Sequence, residues 1–285
     1  MKISKGWKTF IGLIIITALV ITVVLLKGPF YYQARSYLVM YAFSKYEEQK
    51  SLLQKNNISL DIPGGISTPE KDWYPFVMVF NADQSFSRYT GRDLALTILY
   101  NFGAFDWDMS SSNYFQEKSP YYNSFYGGYL VKDNSGSGKY GFTPEGKLDV
   151  SEAMAVPEYD FKYLVLESLG CPREKLTMSV IKYDLEENVT YAGYPGWTKI
   201  DAHLLVNNPS HQFRGNKRAY IQYGYPLKQA GRGDFELMNT RGRIYARYFE
   251  EFNTTVFLYI LTPSEDTLEK CDQEILSKTV INHKK

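Results

Sequence analysis

Between Lys8 and Lys27 the chain runs for seventeen residues, Phe10 to Leu26 ("FIGLIIITALVITVVLL"), without one charged side chain. No other feature limits the fold as strongly, because a helix that is apolar on every side has no wet face to turn toward water. At about 1.5 Å per residue the run spans roughly 26 Å, and the flanking lysines can snorkel to make up a ~30 Å hydrocarbon core. Trp7 on one side and Phe30, Tyr31 and Tyr32 on the other are placed as interfacial anchors. A cleaved signal peptide normally has an apolar region of only about 7 to 15 residues and a small-x-small cleavage site. Here "LLKGPFYY" follows instead, so the expectation is an uncleaved anchor with the lipid bilayer as partner of residues 10–26.

Lys2, Lys5 and Lys8 precede the run, against Lys27 and Arg35 just after it. That bias orients residues 1–9 as a short cytoplasmic N-terminus and sends the rest of the chain out of the cytoplasm, into the cell envelope. Residues 27–60 read as an amphipathic helical stalk and linker: Leu38, Ala42, Tyr46, Gln49 and Leu53 recur at helical spacing, and the helix either rises from the membrane as a stalk or packs that stripe on the domain. The Pro63, Gly64, Gly65 and Pro69 cluster then breaks every period.

Residues 61–285 are expected to form one extracytoplasmic domain. "YPFVMVF", "LTMSVIKYDL", "RAYIQYGYPL", "RIYARYFEEF" and "TVFLYILT" read as strands. In "WTKIDAHLLV" the alternation sets Thr198, Ile200, Ala202, Leu204 and Val206 against Trp197, Lys199, Asp201 and His203. "TGRDLALTILYNFG" and "PEYDFKYLVLESLG" carry helix start and stop signals, and Ser264 caps a final helix "SEDTLEKCDQEILSK". Few helices and many strands, without regular β-α alternation, predict an α+β domain on a mainly antiparallel sheet.

Charge excludes a general pull toward nucleic acid, since 32 basic residues face 31 acidic ones. Locally, Arg214, Lys217, Arg218, Lys228, Arg232, Arg241, Arg243 and Arg247 stand against only Asp234 and Glu236, eight against two, leaving an excess of six positive charges. With tyrosines between them, Arg214, Lys217, Arg218 and Arg243 are candidate ligands for an anionic envelope polymer, the membrane surface or a partner protein. The alternative is a solvated sheet face paired with acids from elsewhere. A second candidate is the ring cluster Tyr121, Tyr122, Phe125 and Tyr126 in "SPYYNSFYGGYLVK", either a binding platform or rings covering a core edge.

Enzymatic signals are sparse. "GSGKYG" at Gly136 to Gly141 lacks the helix a dinucleotide loop needs, and "GFTPEGK" puts Leu148 where a P-loop needs Ser or Thr. Thr143 to Gly146 suits a type I turn instead. Asp201 and His203 share a strand face, but with three histidines in the chain and no HExxH they read as surface polar residues. Asp106 or Asp108 could serve as acid or base toward an envelope glycan, while Asp before Ser-rich sequence equally suits a turn. No nucleotide, metal or other cofactor is expected. Cys171 and Cys271 either pair, as an exported chain permits, or remain thiols. Asn57, Asn188 and Asn253 open N-x-S/T patterns. The leading expectation is a non-enzymatic binding or assembly module, with an envelope enzyme or an accessory subunit of a membrane complex as alternatives.

Overall fold

A computed structural model describes residues 5–27, 29–68, 71–106, 111–136, 138–165, 173–207 and 236–283. The apolar run lies in helix α1 (Lys5–Lys27), and α2 (Pro29–Glu48) follows immediately. In α1, Phe10, Leu13, Ile16, Leu19, Val20 and Val23 each leave 52% to 63% of their surface open, so among the described side chains no face of the helix is packed on the domain. Among the described residues no helix is long and apolar enough to cross a membrane.

The elements that follow are α3 (Leu52–Lys55), β1 (Ile58–Asp61), β2 (Met78–Asn81), α4 (Asp83–Thr90), β3 (Leu94–Phe102), β4 (Phe105–Asp106), β5 (Ser111–Ser112) and β6 (Phe125–Asp133). Then come α5 (Val150–Tyr159), β7 (Met178–Tyr191), β8 (Tyr194–Asn207), β9 (Leu237–Phe249), β10 (Thr254–Thr262), α6 (Glu265–Glu274) and β11 (Val280–His283). Seven strands form one sheet in the order β2-β3-β6-β10-β9-β8-β7, every neighbouring pair antiparallel. The mixed α+β fold on a large antiparallel sheet is therefore as the sequence predicts.

Central strands alternate between two apolar layers, as strand geometry requires. Phe257, Tyr259 and Leu261 of β10 join Met40 of α2, Phe86 of α4 and Val156 of α5 on one face. Val256, Leu258 and Ile260 join Leu53 of α3, Leu268 of α6 and Ile281 of β11 on the other. In β8, Ile200, Ala202, Leu204 and Val206 sit in the first layer, which is the predicted alternation. The glycine pair in "FYGGY" has a packing cause: a Cβ on Gly127 would lie 1.9 Å from the Leu99 carbonyl oxygen of β3.

Of the two expectations for the helix, packing on the domain is the one seen, and the expected linker is packed as well. Tyr37 meets Tyr74 edge-on at 5.0 Å and Phe43 meets Phe80 at 5.9 Å. Ser44 Oγ accepts the Val79 N–H at 3.0 Å, and Glu47 Oε2 accepts that of Asn81 at 3.2 Å. The second half of α2 thus satisfies donors of edge strand β2. The supposed linker supplies β1, which pairs with β11 from the C-terminus.

Two helix expectations are corrected. Residues 94–102 are strand β3 and not helix, buried at all nine positions. Such a run, apolar on both faces, carries no period by which strand and helix differ. The helix lies just before it, where Gly91 at φ 71° ends α4 in the left-handed conformation. The helix expected to start at Pro157 instead starts at Val150, where the Asp149 side chain accepts the Glu152 N–H. Pro157 lies inside α5, and the next residues, Asp160–Val165, widen into a π-helical turn. A proline that removes a backbone donor and crowds the preceding turn is a physical reason for that widening.

Candidate functional site

The predicted basic and aromatic ligands do not come together among the described residues. Arg214, Lys217 and Arg218, with strand candidate "RAYIQYGYPL", lie outside them, as do Asp108 and Cys171. The Asp106 backbone is in β4. Tyr121 (7% exposed), Phe125 (5%) and Tyr126 (0%) are buried, and Tyr122 is half-buried. Trp73 packs edge-on between Tyr121 and Tyr126, at 4.8 Å from each, and the Tyr126 hydroxyl donates to the Pro63 carbonyl at 2.6 Å. Three of the four rings are therefore core, and a flat ligand has no face of theirs to stack on.

Arg243 is likewise buried, in a cage of carboxylates. It donates from Nε to Asp201 (2.6 Å), from Nη1 to Asp272 (2.7 Å) and from Nη2 to Glu269 (2.8 Å). Tyr245 and Tyr191, stacked at 3.5 Å between ring centres, both donate to Asp272, at 2.9 and 2.5 Å. Burial works against charge on Asp201, but its bonds from Arg243 and Lys199 outweigh that and hold its carboxyl below the usual range. The Arg243 bond lowers Glu269 in the same way. This arrangement ties α6 to β8 and β9. It also places the Asp201 and His203 pair: Asp201 is engaged by cations, and His203 Nε2 lies 3.3 Å from Arg241 Nη1. Among the described residues no group of three or more His, Cys, Asp or Glu side chains could hold a metal ion.

Sequence reasoning passes over a second buried carboxyl. Asp160, at the start of the π-helical turn, receives the Tyr129 hydroxyl at 2.8 Å, and burial pushes its pKa up to about 7. Tyr259 stacks on Tyr129 at 4.4 Å between ring centres, and its buried hydroxyl interacts electrostatically with this pair. An acid inside an apolar stretch, "YDFKYLV", is the available signal. A raised carboxyl pKa is a mark of active sites, but the cavity beside these rings holds about 20 Å³, room for one water and no substrate.

The glycine patterns resolve as turns. The Gly146 N–H donates to the Thr143 carbonyl at 2.9 Å, as the expected turn requires. Asn57, Asn188 and Asn253 all take left-handed conformations, with φ of 52°, 60° and 49°. Asn tolerates that region better than most residues, which accounts for these asparagines without a glycan. Cys271 is a buried free thiol, its pKa raised by burial.

What stays open is β7, the other edge of the seven-stranded sheet. None of its fourteen residues is fully buried, whereas β10 at the sheet centre is buried at every position. Val180 (41%), Ile181 (58%), Tyr183 (46%) and Leu185 (45%) are exposed apolar side chains. A tight hairpin leads from it into β8, through Ala192 and Gly193 at φ 47° and 78°. Among the described residues nothing pairs with its outer side. No protein family, curated protein or solved structure matches this chain.

Proposed function

We propose that this chain is a membrane-anchored cell-envelope protein, held by residues 10–26 with its N-terminus in the cytoplasm, whose folded domain is a non-enzymatic binding or assembly module. The all-round apolar exposure of α1 supports the anchor, because a helix of that kind has no stable home in water. The observation that carries the module reading is the unequal treatment of the two sheet edges. At β2, α2 takes up the donors of Val79 and Asn81. At β7, a fourteen-residue edge with apolar side chains stands open among the described residues. Exposed edges invite pairing with another chain, and natural proteins usually blunt them. The charged side chains of β7 are Lys182 against Asp184, Glu186 and Glu187, so this edge favours a protein partner over an anionic polymer.

Two measurements test the reading. Alkaline carbonate should leave the full chain in the membrane pellet; release into the supernatant overturns the anchor. A photo-crosslinking amino acid at position 183 should give a discrete adduct with another protein in intact cells, while one at position 145, on an exposed turn, should not. Equal or absent adducts at both positions overturn β7 as the binding surface.

A further inference from the structure

The chemistry of β7 specifies more than an open edge, and the partner it specifies rests on the domain being a binding module. From Lys182 to Glu186 the strand pairs regularly with β8, opposite His203 to Lys199, between bulges at either end. Tyr183 and Leu185 face Ala202 and Ile200, and so extend the apolar side of the sheet. Lys182, Asp184 and Glu186 face His203, Asp201 and Lys199 on the other side. A strand added outside β7 continues this division: its apolar residues fall beside Tyr183 and Leu185, and its alternate residues beside the three charges.

The charges are not balanced within the chain. Asp184 lies directly opposite Asp201, a like-charge pair, and Asp201 is already committed to Arg243 and Lys199. Asp184 and Glu187 make no ion pair among the described residues, and Glu186 comes only within 4.0 Å of Lys199. Lys182 against Asp184, Glu186 and Glu187 is one positive charge against three negative, a net of −2 along the edge. Cations are therefore what an incoming strand should bring.

A second copy of the chain is the obvious alternative occupant, and geometry disfavours it. Along α2, Tyr37, Ser44 and Glu47 meet Tyr74, Val79 and Asn81 in turn, so α2 runs in the same direction as β2. A two-fold β7–β7 pairing is antiparallel and reverses every strand of the second copy. The two α2 helices would then leave opposite ends of the joined sheet, whereas two anchors in one membrane must leave on the same side.

We propose that β7 binds, by strand addition, an extended segment of a partner protein that carries Lys or Arg at alternate positions with apolar residues between them. Main-chain bonds supply the affinity of such contacts and alternate side chains supply the selectivity.

The test uses the full chain in detergent micelles and a fluorescent ten-residue peptide of alternating Lys and Val. Saturable binding is expected, with slowed amide exchange confined to residues 180–187. A peptide of the same composition with its lysines in one block, and one alternating Glu and Val, should bind at least tenfold more weakly. Asp184→Lys, at an exposed position, should weaken the alternating Lys peptide at least tenfold. Equal binding of the alternating and block peptides, or no effect of Asp184→Lys, overturns the proposal. So do β7 amides that without peptide exchange as slowly as those of β10, since the chain itself would then cover the edge. An adduct at position 183 together with no peptide binding removes the basic-strand partner and leaves the module reading standing; absence of the adduct removes the module reading itself.

Discussion

The Tyr129 hydroxyl donates to the Asp160 carboxyl at 2.8 Å, and each residue is only 1% exposed. A carboxyl in this position holds its proton to about pH 7, against an ordinary value of 3.8, chiefly because burial disfavours the charged form. Between those limits the unfolded chain is ionised while the folded one is not. The contribution of this group is therefore fully present below pH 3.8, falls as pH rises, and is lost above about pH 7.

Asp160→Asn keeps an acceptor for Tyr129 and removes the titration. From pH 5 to 8 the wild-type chain should lose on the order of 2–3 kcal/mol more stability than the variant, at ~1.4 kcal/mol per pKa unit. Urea unfolding at several pH values, followed by tryptophan fluorescence, reads this directly. Parallel stability curves for the two chains would mean that Asp160 is ionised in the fold throughout.

Replacing Arg243 with Met removes the cation that three carboxylates share, leaving Asp201 only its Lys199 pair. Asp272 shows 9% of its side chain, while Asp201 and Glu269 show 38% and 41% and are partly screened by water. Most of the cost therefore falls on Asp272, and a loss of about 2–4 kcal/mol is expected at pH 7, shrinking below pH 4 as the carboxylates protonate. Arg243→Lys should recover only part, since one ammonium cannot reach three acceptors arranged around a planar fork. Arg241→Met is the control: its partner Glu265 is half exposed, so under about 1 kcal/mol is expected. Equal losses at the two arginines would contradict the cage.

The contrast between these arginines marks what the sequence could reveal. The alternation in β8 and the cap at Ser264, which accepts the Thr267 N–H, are local patterns and legible as such. The partners of Arg243 are 42, 26 and 29 residues away, at Asp201, Glu269 and Asp272, and no spacing rule connects them. Along the chain Arg243 belongs to a basic run; folded, it is the centre of an acidic cage. Tyr126 misleads in the same way, because Ser, Asn and Gly neighbours suggest a loop while Trp73, from 53 positions earlier in the sequence, closes over the ring. Residues 178–185 are legible as a strand, but the place of β7 at the end of the sheet depends on pairings that only the fold decides.

Cys271 gives a chemical readout of the same layer. Its thiol is buried, and burial followed by the nearby Asp272 charge pushes its pKa well above the ordinary value, so little thiolate is present at pH 8. Iodoacetamide should leave the peptide containing Cys271 unmodified in the folded chain and label it fully in 6 M guanidinium, as mass spectrometry will show. Rapid labelling without denaturant would mean that α6 opens from the sheet.

The contact of Ser44 with Val79 separates a helix that merely leads to the membrane from one that closes a sheet. Ser44→Ala removes the acceptor for the Val79 N–H, and Glu47→Ala removes that for the Asn81 backbone N–H, while the Asn81 side-chain amide keeps the Glu47 main-chain carbonyl. Each should cost about 1 kcal/mol, the usual net worth of such a bond plus the penalty for an orphaned donor. The double variant should do more than sum these losses, because the donors freed on β2 are those that pair sheet edges between molecules. Concentration-dependent light scattering near the unfolding midpoint should therefore rise in the double variant. Asn56→Ala, which loses part-buried side-chain bonds to Phe252, Thr254 and Lys132 but frees no donor on β2, should leave it unchanged. Scattering that follows stability alone, irrespective of which bond is lost, would show that α2 does not guard the edge.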